Sequence, residues 1–128
     1  MLKLIDHLIL RTPHMKNNRI YLRFLNLLEA VEDTPGFPDI DLEAKKILEV
    51  IAIRHQKETP LTVTEAMALS HIASPATIHR KLDQLREMQL IDSIYHGDNR
   101  RTKYMVPTAS ALQYFDRLGK IMTKAFKV

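Results

Sequence analysis

The side chains best suited to chemistry lie in one short stretch, which follows a serine and a proline at the start of a predicted helix over residues 75–88. Serine is a favoured N-cap and proline is favoured at the first helical position, so Ser74-Pro75 marks the helix start. If Ile78 faces inward, a turn of roughly 100° per residue leaves small and polar side chains outside. These outward-facing candidates are Ala76, Thr77, His79, Arg80 and Gln84.

Such side chains can bond the edges of DNA bases. An arginine such as Arg80 can bond O6 and N7 of guanine, a glutamine such as Gln84 can bond adenine, and an alanine or threonine methyl can contact the thymine methyl. The helix N-terminus at Ser74 can hold a phosphate. We therefore expect Ser74 and the five candidates to contact bases or phosphates, with an ordinary solvated helix face as the alternative for each residue.

A second group of cations lies in a polar segment between two β-prone runs and at the start of the second run. The charged residues of this segment are Asp98, Arg100, Arg101 and Lys103. The runs 90–95 and 102–106 predict a β-hairpin with a loop of about four to six residues. Arginines at such a tip can reach a minor groove, where A·T tracts concentrate negative potential. We expect Asp98 to orient a guanidinium through a bidentate pair. A charged, solubilising turn is the alternative.

Helices on either side must position these two groups. The apolar residues before residue 33 recur on one helical face, and Pro13 divides a short leading helix from the main one. That face consists of Ile20, Phe24, Leu27, Leu28 and Val31. Leu22 and Leu25 make this apolar face wider than packing against one core requires. The widening favours a dimer interface over a helix fully covered within the monomer.

Capping signals and apolar repeats predict the remaining helices. A second helix starts near Asp41, capped by Asp39 or Asp41, and its buried face is Ala44, Ile47, Leu48, Ile51 and His55. Thr62 and Glu65 predict a capping box on a short helix that ends near Ser70. The helix 75–88 buries Ile78, Leu82 and Leu85. Thr108 caps a last helix, which carries Leu112, Phe115, Leu118 and Met122.

This order of elements predicts a winged helix-turn-helix: a mainly α fold with a small β-hairpin, flanked by N- and C-terminal dimerisation helices. We expect a single domain over residues 1–128. Within it, residues 1–33 form the N-terminal dimerisation helices, residues 40–107 form the winged helix-turn-helix and residues 108–128 form the C-terminal helix. The helix 75–88 would lie in the major groove of DNA, and the wing 96–103 would reach the minor groove.

Residues 41–112 resemble the MarR-type winged-helix transcription regulators. The resemblance rests on Leu61-Thr62-Val63-Thr64-Glu65-Ala66, Ser74-Pro75-Ala76-Thr77-Ile78-His79-Arg80-Lys81-Leu82, Leu90-Ile91, Asp98-Asn99-Arg100-Arg101 and Thr108. It implies a homodimer that binds a pseudo-palindromic operator, usually as a repressor and often released by a small ligand of unknown identity. The chain departs from the family in having Gln89 where a glycine is usual, Ala111 where a further glycine is usual, and a short C-terminal helix.

Composition excludes several other classes of protein. The chain has 128 residues, a net charge of +4 and no cysteine, so disulfides, thiolate metal sites and cysteine nucleophiles are excluded. Three glycines do not make a phosphate-binding loop. The six histidines show no metal-ligand spacing and no HExxH motif. We expect no enzymatic activity, cofactor, metal, membrane span or signal peptide, and a cytoplasmic location.

A winged helix can also serve for protein contacts, or as a subunit of a nucleoprotein assembly without its own sequence-specific DNA binding. Two features favour DNA: the arginine pair at the wing tip, and the absence of acids from the first turn of the helix 75–88. A module that contacts only proteins needs neither.

Overall fold

The computed structural model describes residues 17–127, and the helix predicted before Pro13 lies outside this range. The described residues form five helices and one β-hairpin. In chain order the elements are α1 (Asn17–Glu32), α2 (Leu42–Gln56), α3 (Val63–Met67), α4 (Pro75–Glu87), β1 (Ile91–His96), β2 (Asn99–Pro107) and α5 (Ala109–Phe126). This architecture confirms the predicted fold class.

The chain divides into two compact units. The central unit, Pro38–Asp116, contains α2, α3, α4, the hairpin and the start of α5; the other unit comprises Met1–Phe37 and Arg117–Val128. The division therefore passes through α5, whereas the sequence placed a boundary before that helix.

The core of the central unit is built on α2 and α4, which pack against each other. Each helix buries one apolar face, as predicted, at i, i+3, i+4 and i+7 spacing in α2 and at i, i+4 and i+7 spacing in α4. The fully buried residues of α2 are Ala44, Ile47, Leu48 and Ile51, and those of α4 are Ile78, Leu82 and Leu85. His55 is exposed, which corrects its predicted burial. It lies near the end of α2, beyond the buried stripe.

The predicted capping box forms at the start of α3. Glu65 N–H donates to Thr62 Oγ1 at 3.2 Å, and Thr62 N–H donates to Glu65 Oε1 at 3.0 Å. The pKa of Glu65 is lowered, first by the backbone N–H of Thr62 and then by the Thr62 side chain, because hydrogen bonds to the carboxylate stabilise its ionised form. The helix ends at Met67, earlier than predicted, and a turn leads to Ser74.

The hairpin is attached to the rest of the central unit at its base. Met105 N–H donates to the Leu61 carbonyl at 2.8 Å, and Thr62 forms an isolated bridge with Tyr104. The base is apolar, because Ile91, Met105 and Val106 are buried. The wing is thus held at one end and projects from it.

The tip of the wing is tighter than predicted. The turn contains only Gly97 and Asp98, and Gly97 has a φ of 60° at the first central position, where type II′ turns favour glycine. Both arginines consequently lie in β2. The ladder is regular from Ile91↔Pro107 to Tyr95↔Lys103 and shifts before His96↔Asn99.

The second unit contains α1, whose predicted apolar face is half-buried throughout. Tyr21 and Leu22 remain 60% and 62% exposed, and Leu25 is also exposed. On the other segment of this unit Ile121 and Ala125 are buried, while the Arg117 guanidinium lies 4.7 Å from the centre of the Phe37 ring. The unit thus retains apolar surface on α1.

The last helix is capped as predicted, but its buried face is rotated relative to the apolar repeat noted in the sequence. Ala111 N–H donates to Thr108 Oγ1 at 3.2 Å. Leu112 and Met122 are exposed. The buried residues of the helix are Ala111, Tyr114, Ile121 and Ala125.

Helix α4 ends in a left-handed residue that is not glycine. Gln89 has a φ of 59°, Leu90 N–H donates to the Leu85 carbonyl at 2.9 Å, and the Gln89 carbonyl accepts from Thr108 Oγ1 at 2.6 Å. These bonds hold the C-terminus of α4 to the start of α5. They also hold Gln89 in a conformation that costs a residue with a side chain roughly 1–2 kcal/mol.

Replacing Gln89 with glycine is therefore expected to raise the free energy of unfolding by about 0.5–1 kcal/mol. Glycine removes the left-handed strain, and part of this gain is offset by its greater freedom in the unfolded chain. Urea denaturation measures the change. Met88→Gly is the matched control: Met88 is right-handed, so glycine there should lower stability by about 1 kcal/mol. Destabilisation by Gln89→Gly would contradict the assignment.

Candidate nucleic-acid interface

The N-terminus of α4 is built by Ser74 and Pro75, as the sequence predicts. Ser74 Oγ accepts the backbone N–H of Thr77 at 3.3 Å and its hydroxyl donates to Thr77 Oγ1 at 3.0 Å. Pro75 supplies the first helical residue without requiring an N–H partner. Thr77 is half-buried, so its methyl and hydroxyl are less available to a partner than those of a fully exposed threonine.

The outer face of the first turns of α4 is open. Ala76, His79 and Arg80 are exposed, and the first turn has no acidic residue. The positive end of the helix dipole therefore faces solvent together with a guanidinium and an imidazole. This surface can accept an anion or present donors to a partner.

One of the two acidic residues of this helix, Asp83, is held by its neighbours. Asp83 accepts a hydrogen bond from Arg86 Nη1 at 3.1 Å, and its other oxygen lies 3.5 Å from His79 Nδ1. Asp83 is thus partly neutralised by Arg86, one turn further from the N-terminus. The arrangement reduces the repulsion that a carboxylate here would exert on a phosphate.

Lys81 contacts α2 and is not part of the exposed outer face of α4. Its ammonium donates to Asp41 Oδ2 at 2.8 Å, while Asp41 Oδ1 accepts the N–H of Ala44 at 2.9 Å as the N-cap of α2. The Lys81 hydrogen bond first, then the Ala44 N–H, hold the pKa of Asp41 below its ordinary value, and the Gln84 side chain adds a smaller effect. One carboxylate therefore ties α4 to the start of α2.

The contact with Asp41 also shows that Gln84 does not lie with the outward-facing residues of α4. The residue is half-buried, and its amide lies on the Asp41 side of α4 rather than with the exposed Ala76 and Arg80. Sequence reasoning missed the Asp41–Lys81 pair, although Asp41 was recognised as a possible cap. The two residues are 40 positions apart, and no local pattern relates them.

On the wing, two of the three predicted cations share one aromatic ring. The Arg100 guanidinium carbon lies 5.5 Å from the centre of the Tyr95 ring and Lys103 Nζ lies 5.6 Å from it. Both distances are within the range of a cation–π contact. Arg101 is exposed, and its backbone N–H donates to Asn99 Oδ1 at 3.0 Å. Sequence reasoning did not single out Tyr95; its position opposite Lys103 depends on strand register.

The expected pairing of Asp98 with a guanidinium is not seen. Within residues 17–127, Asp98 makes no ion pair or side-chain hydrogen bond, and it occupies the second position of the tight turn. The shortness of the turn explains the difference, because both arginines start within β2 and Arg100 lies against Tyr95 instead. The wing cations are oriented by a ring rather than by a carboxylate.

The central unit also has an open groove of about 810 Å³. Its walls are the last turns of α2, Pro107 and the first turns of α5. Apolar side chains, among them Ile53, Leu112 and Phe115, line it beside the carboxylates of Glu49 and Glu58. The mixture of apolar and acidic groups differs from the cationic surfaces of α4 and the wing.

Metal sites and membrane spans are both absent from the described residues. No group of three or more potential metal ligands comes together in residues 17–127. Over the same range, none of the helices combines the length and hydropathy needed to cross a bilayer.

Solved structures share this fold. The complex of MepR with DNA from Staphylococcus aureus has a TM-score of 0.56 and 16% identity, over 98% of this chain and 85% of that one. Rv1404 from Mycobacterium tuberculosis has a TM-score of 0.58 and 14% identity, over 98% and 76%. YusO from Bacillus subtilis has a TM-score of 0.53 and 15% identity, over 97% and 79%. No protein-family model and no curated protein matches the chain. The winged helix-turn-helix expected from the MarR-type resemblance is confirmed as the fold.

The Asp41–Lys81 contact should make stability depend on acidic pH. Asp41→Asn keeps a good N-cap but removes the charge. We expect it to lower the free energy of unfolding at neutral pH by about 0.3–1 kcal/mol, a small value because Asp41 is 41% exposed. The folded-state pKa of Asp41 lies below its ordinary value of 3.8. Its contribution is therefore complete above that value and is lost as pH falls through the folded-state pKa.

Urea denaturation at pH 7 and pH 3 provides the measurement. The difference in free energy of unfolding between the parent protein and Asp41→Asn should be smaller at pH 3 than at pH 7. Asp39→Asn is the matched control, because Asp39 is exposed and does not cap α2. An equal gap at both pH values would show that charge on Asp41 does not stabilise the fold.

Proposed function

We propose that this chain is a sequence-specific, double-stranded DNA-binding transcription regulator. In this proposal α4 enters the major groove and the wing, residues 96–103, reaches the adjacent minor groove. The observation that carries the proposal is the open N-terminal face of α4, where Arg80 and His79 stand exposed beside a capped helix end without acids. This is the end of a recognition helix that contacts base edges in helix-turn-helix proteins.

The proposed DNA contacts of α4 fall into groups according to how exposed each side chain is. Arg80 and Ala76 face outward and are suited to base edges, with Arg80 placed for a bidentate bond to guanine. Ser74, His79 and the first amides of α4 are suited to phosphate. Thr77 and Gln84 remain proposed contacts, and their partial burial favours a supporting position at the edge of the interface.

The wing supplies the sequence-independent part of the affinity. Arg100, Arg101 and Lys103 are exposed on β2, and no acidic residue lies between them. Cations on a projecting hairpin attract the DNA backbone and release counterions, so binding by this surface depends on salt. The net charge of the chain is only +4, which makes the base contacts important for overall affinity.

The MepR structures support the regulatory role. MepR is described as a transcription regulator of the S. aureus multidrug efflux pump MepA, and its structure is known in complex with DNA. By this likeness, and by the resemblance to MarR-type regulators, the proposal extends to repression at a pseudo-palindromic operator. Two copies of α4 would then occupy successive major grooves, roughly 34–36 Å apart.

A homodimer joined through residues 1–33 and 108–128 completes this arrangement. It is supported by the exposed apolar side chains of Tyr21, Leu22 and Leu25 on α1, and of Met122 and Phe126 on α5. A small-molecule effector is a further part of the proposal, and the groove of the central unit is a concave surface of suitable size for one.

Arg80→Ala tests base recognition. Sequences are first selected from random duplexes with the parent protein, and binding is then measured on the selected and a scrambled duplex. We expect the variant to lose about 1–3 kcal/mol of discrimination between them, the value of a bidentate guanine contact. Arg86→Ala is the matched control on the same helix: it frees the Asp83 carboxylate, whose repulsion of phosphate does not depend on base sequence, so it should leave the discrimination unchanged. Equal weakening on both duplexes by Arg80→Ala would make Arg80 a phosphate contact.

The selection also separates DNA binding from the protein-contact alternative. A DNA-binding wing predicts that log K falls with log salt by about 0.9 per neutralised phosphate. No selected sequence and a flat salt response would favour a module that contacts proteins.

Leu22→Glu tests the dimer. A buried carboxylate in an apolar interface is costly, so sedimentation velocity at tens of micromolar is expected to show a dimer for the parent protein and a monomer for the variant. Leu42→Glu is the control: Leu42 is 67% exposed at the start of α2 in the central unit, and its replacement should leave the dimer intact. A monomeric parent protein would remove the argument for operator symmetry.

A further inference from the structure

The wing holds an arrangement of cations that its sequence does not reveal. Between the ladder pairs Tyr95↔Lys103 and His96↔Asn99, the residues Arg100, Arg101 and Thr102 of β2 have no ladder partner. They form a bulge directly above the Tyr95–Lys103 pair. A bulge redirects the side chains of the strand that carries it.

The Tyr95 ring lies where two of these cations can use it. Arg100 belongs to the bulge and Lys103 is the direct partner of Tyr95 across the ladder, and the two charges are 5.5 and 5.6 Å from the ring centre. Tyr95 is 38% exposed, so the contacts are at the protein surface. Two like charges are thus gathered over one aromatic ring, where neither has an acidic partner within the described chain.

Arg101 provides an internal contrast. It is exposed on the same bulge, and its side chain makes no ion pair, ring contact or hydrogen bond with any residue in the range 17–127. The wing therefore has two cations held by a ring and one that is free of it.

We propose that Tyr95 is a positioning residue of the wing, which orders the Arg100 and Lys103 side chains for contact with phosphates before DNA arrives. The inference rests on the proposed DNA-binding function. Long cationic side chains lose rotamer freedom when they bind, and this loss weakens binding. A ring that already restricts Arg100 and Lys103 removes part of this loss without contributing a charge. Tyr95 should thus raise affinity without altering the number of phosphates neutralised.

The test compares Tyr95→Leu, which keeps apolar bulk, with Tyr95→Phe, which keeps the ring. Binding to the selected duplex is measured by fluorescence anisotropy at several salt concentrations. Tyr95→Leu is expected to weaken binding by about 2- to 10-fold at every salt concentration and to leave the salt slope unchanged. Tyr95→Phe should bind within about twofold of the parent protein, since phenylalanine retains the cation–π surface. Arg100→Ala, by contrast, should reduce the slope by about 0.9.

Double variants identify the partners of the ring. In a background that lacks both Arg100 and Lys103 side chains, Tyr95→Leu should cause no further loss. In the Arg101→Ala background it should cause its full loss, because Arg101 does not contact the ring. A loss of salt slope in Tyr95→Leu would show that the wing is disrupted and would overturn a positioning role. Tighter or unchanged binding by Tyr95→Leu would also overturn it.

A measurement on the free protein separates this inference from the proposed function. The Nε–H resonance of Arg100 should be shifted upfield by the ring in the parent protein and in Tyr95→Phe, and the shift should be lost in Tyr95→Leu. If the shift is present but no duplex binds the parent protein, the proposed function fails and the DNA role of Tyr95 fails with it. If the parent protein binds DNA and the shift is absent, the positioning inference alone fails.

Discussion

The burial of one face of α4 is the constraint on which the candidate site depends. Ile78, Leu82 and Leu85 are fully buried, so the helix has one allowed rotation about its axis. A different rotation would expose these side chains, and full burial of each is worth roughly 1.5–3 kcal/mol. The exposure of Ala76 and Arg80 on the opposite side follows directly. The orientation of the outer face is therefore maintained by core packing and does not require contacts among the outer side chains.

Two charged side chains of α4, one acidic and one basic, have partners within the protein. Asp83 is bonded to Arg86, and Lys81 is bonded to Asp41 at the start of α2. Among the described residues near the N-terminus of α4, Arg80 is therefore the cation that has no acidic partner. This distribution suits a weakly basic protein that binds DNA through a few placed contacts more than through a large positive surface.

The helices were predictable because their signals are local. The capping residues Ser74, Thr62 and Thr108 act on amides three residues ahead, and apolar periodicity then defines which side is buried. Local signals were less accurate at the wing. The sequence suggested a loop of several residues, whereas the left-handed Gly97 permits a two-residue turn and leaves the arginines in β2. The buried face of α5 also differed from expectation, because apolar residues on several sides of a helix do not specify which side packs.

The sequence by itself determined the order of elements, the capped start of α4 and the exposure of Ala76, His79 and Arg80, since these depend on helical repeat and on hydrogen bonds spanning a few residues. Only the tertiary structure decided that Lys81 bonds Asp41, that Gln84 lies on the same side, and that Tyr95 gathers two wing cations. These contacts depend on helix packing and strand register, which bring together residues whose relation is not encoded in local spacing.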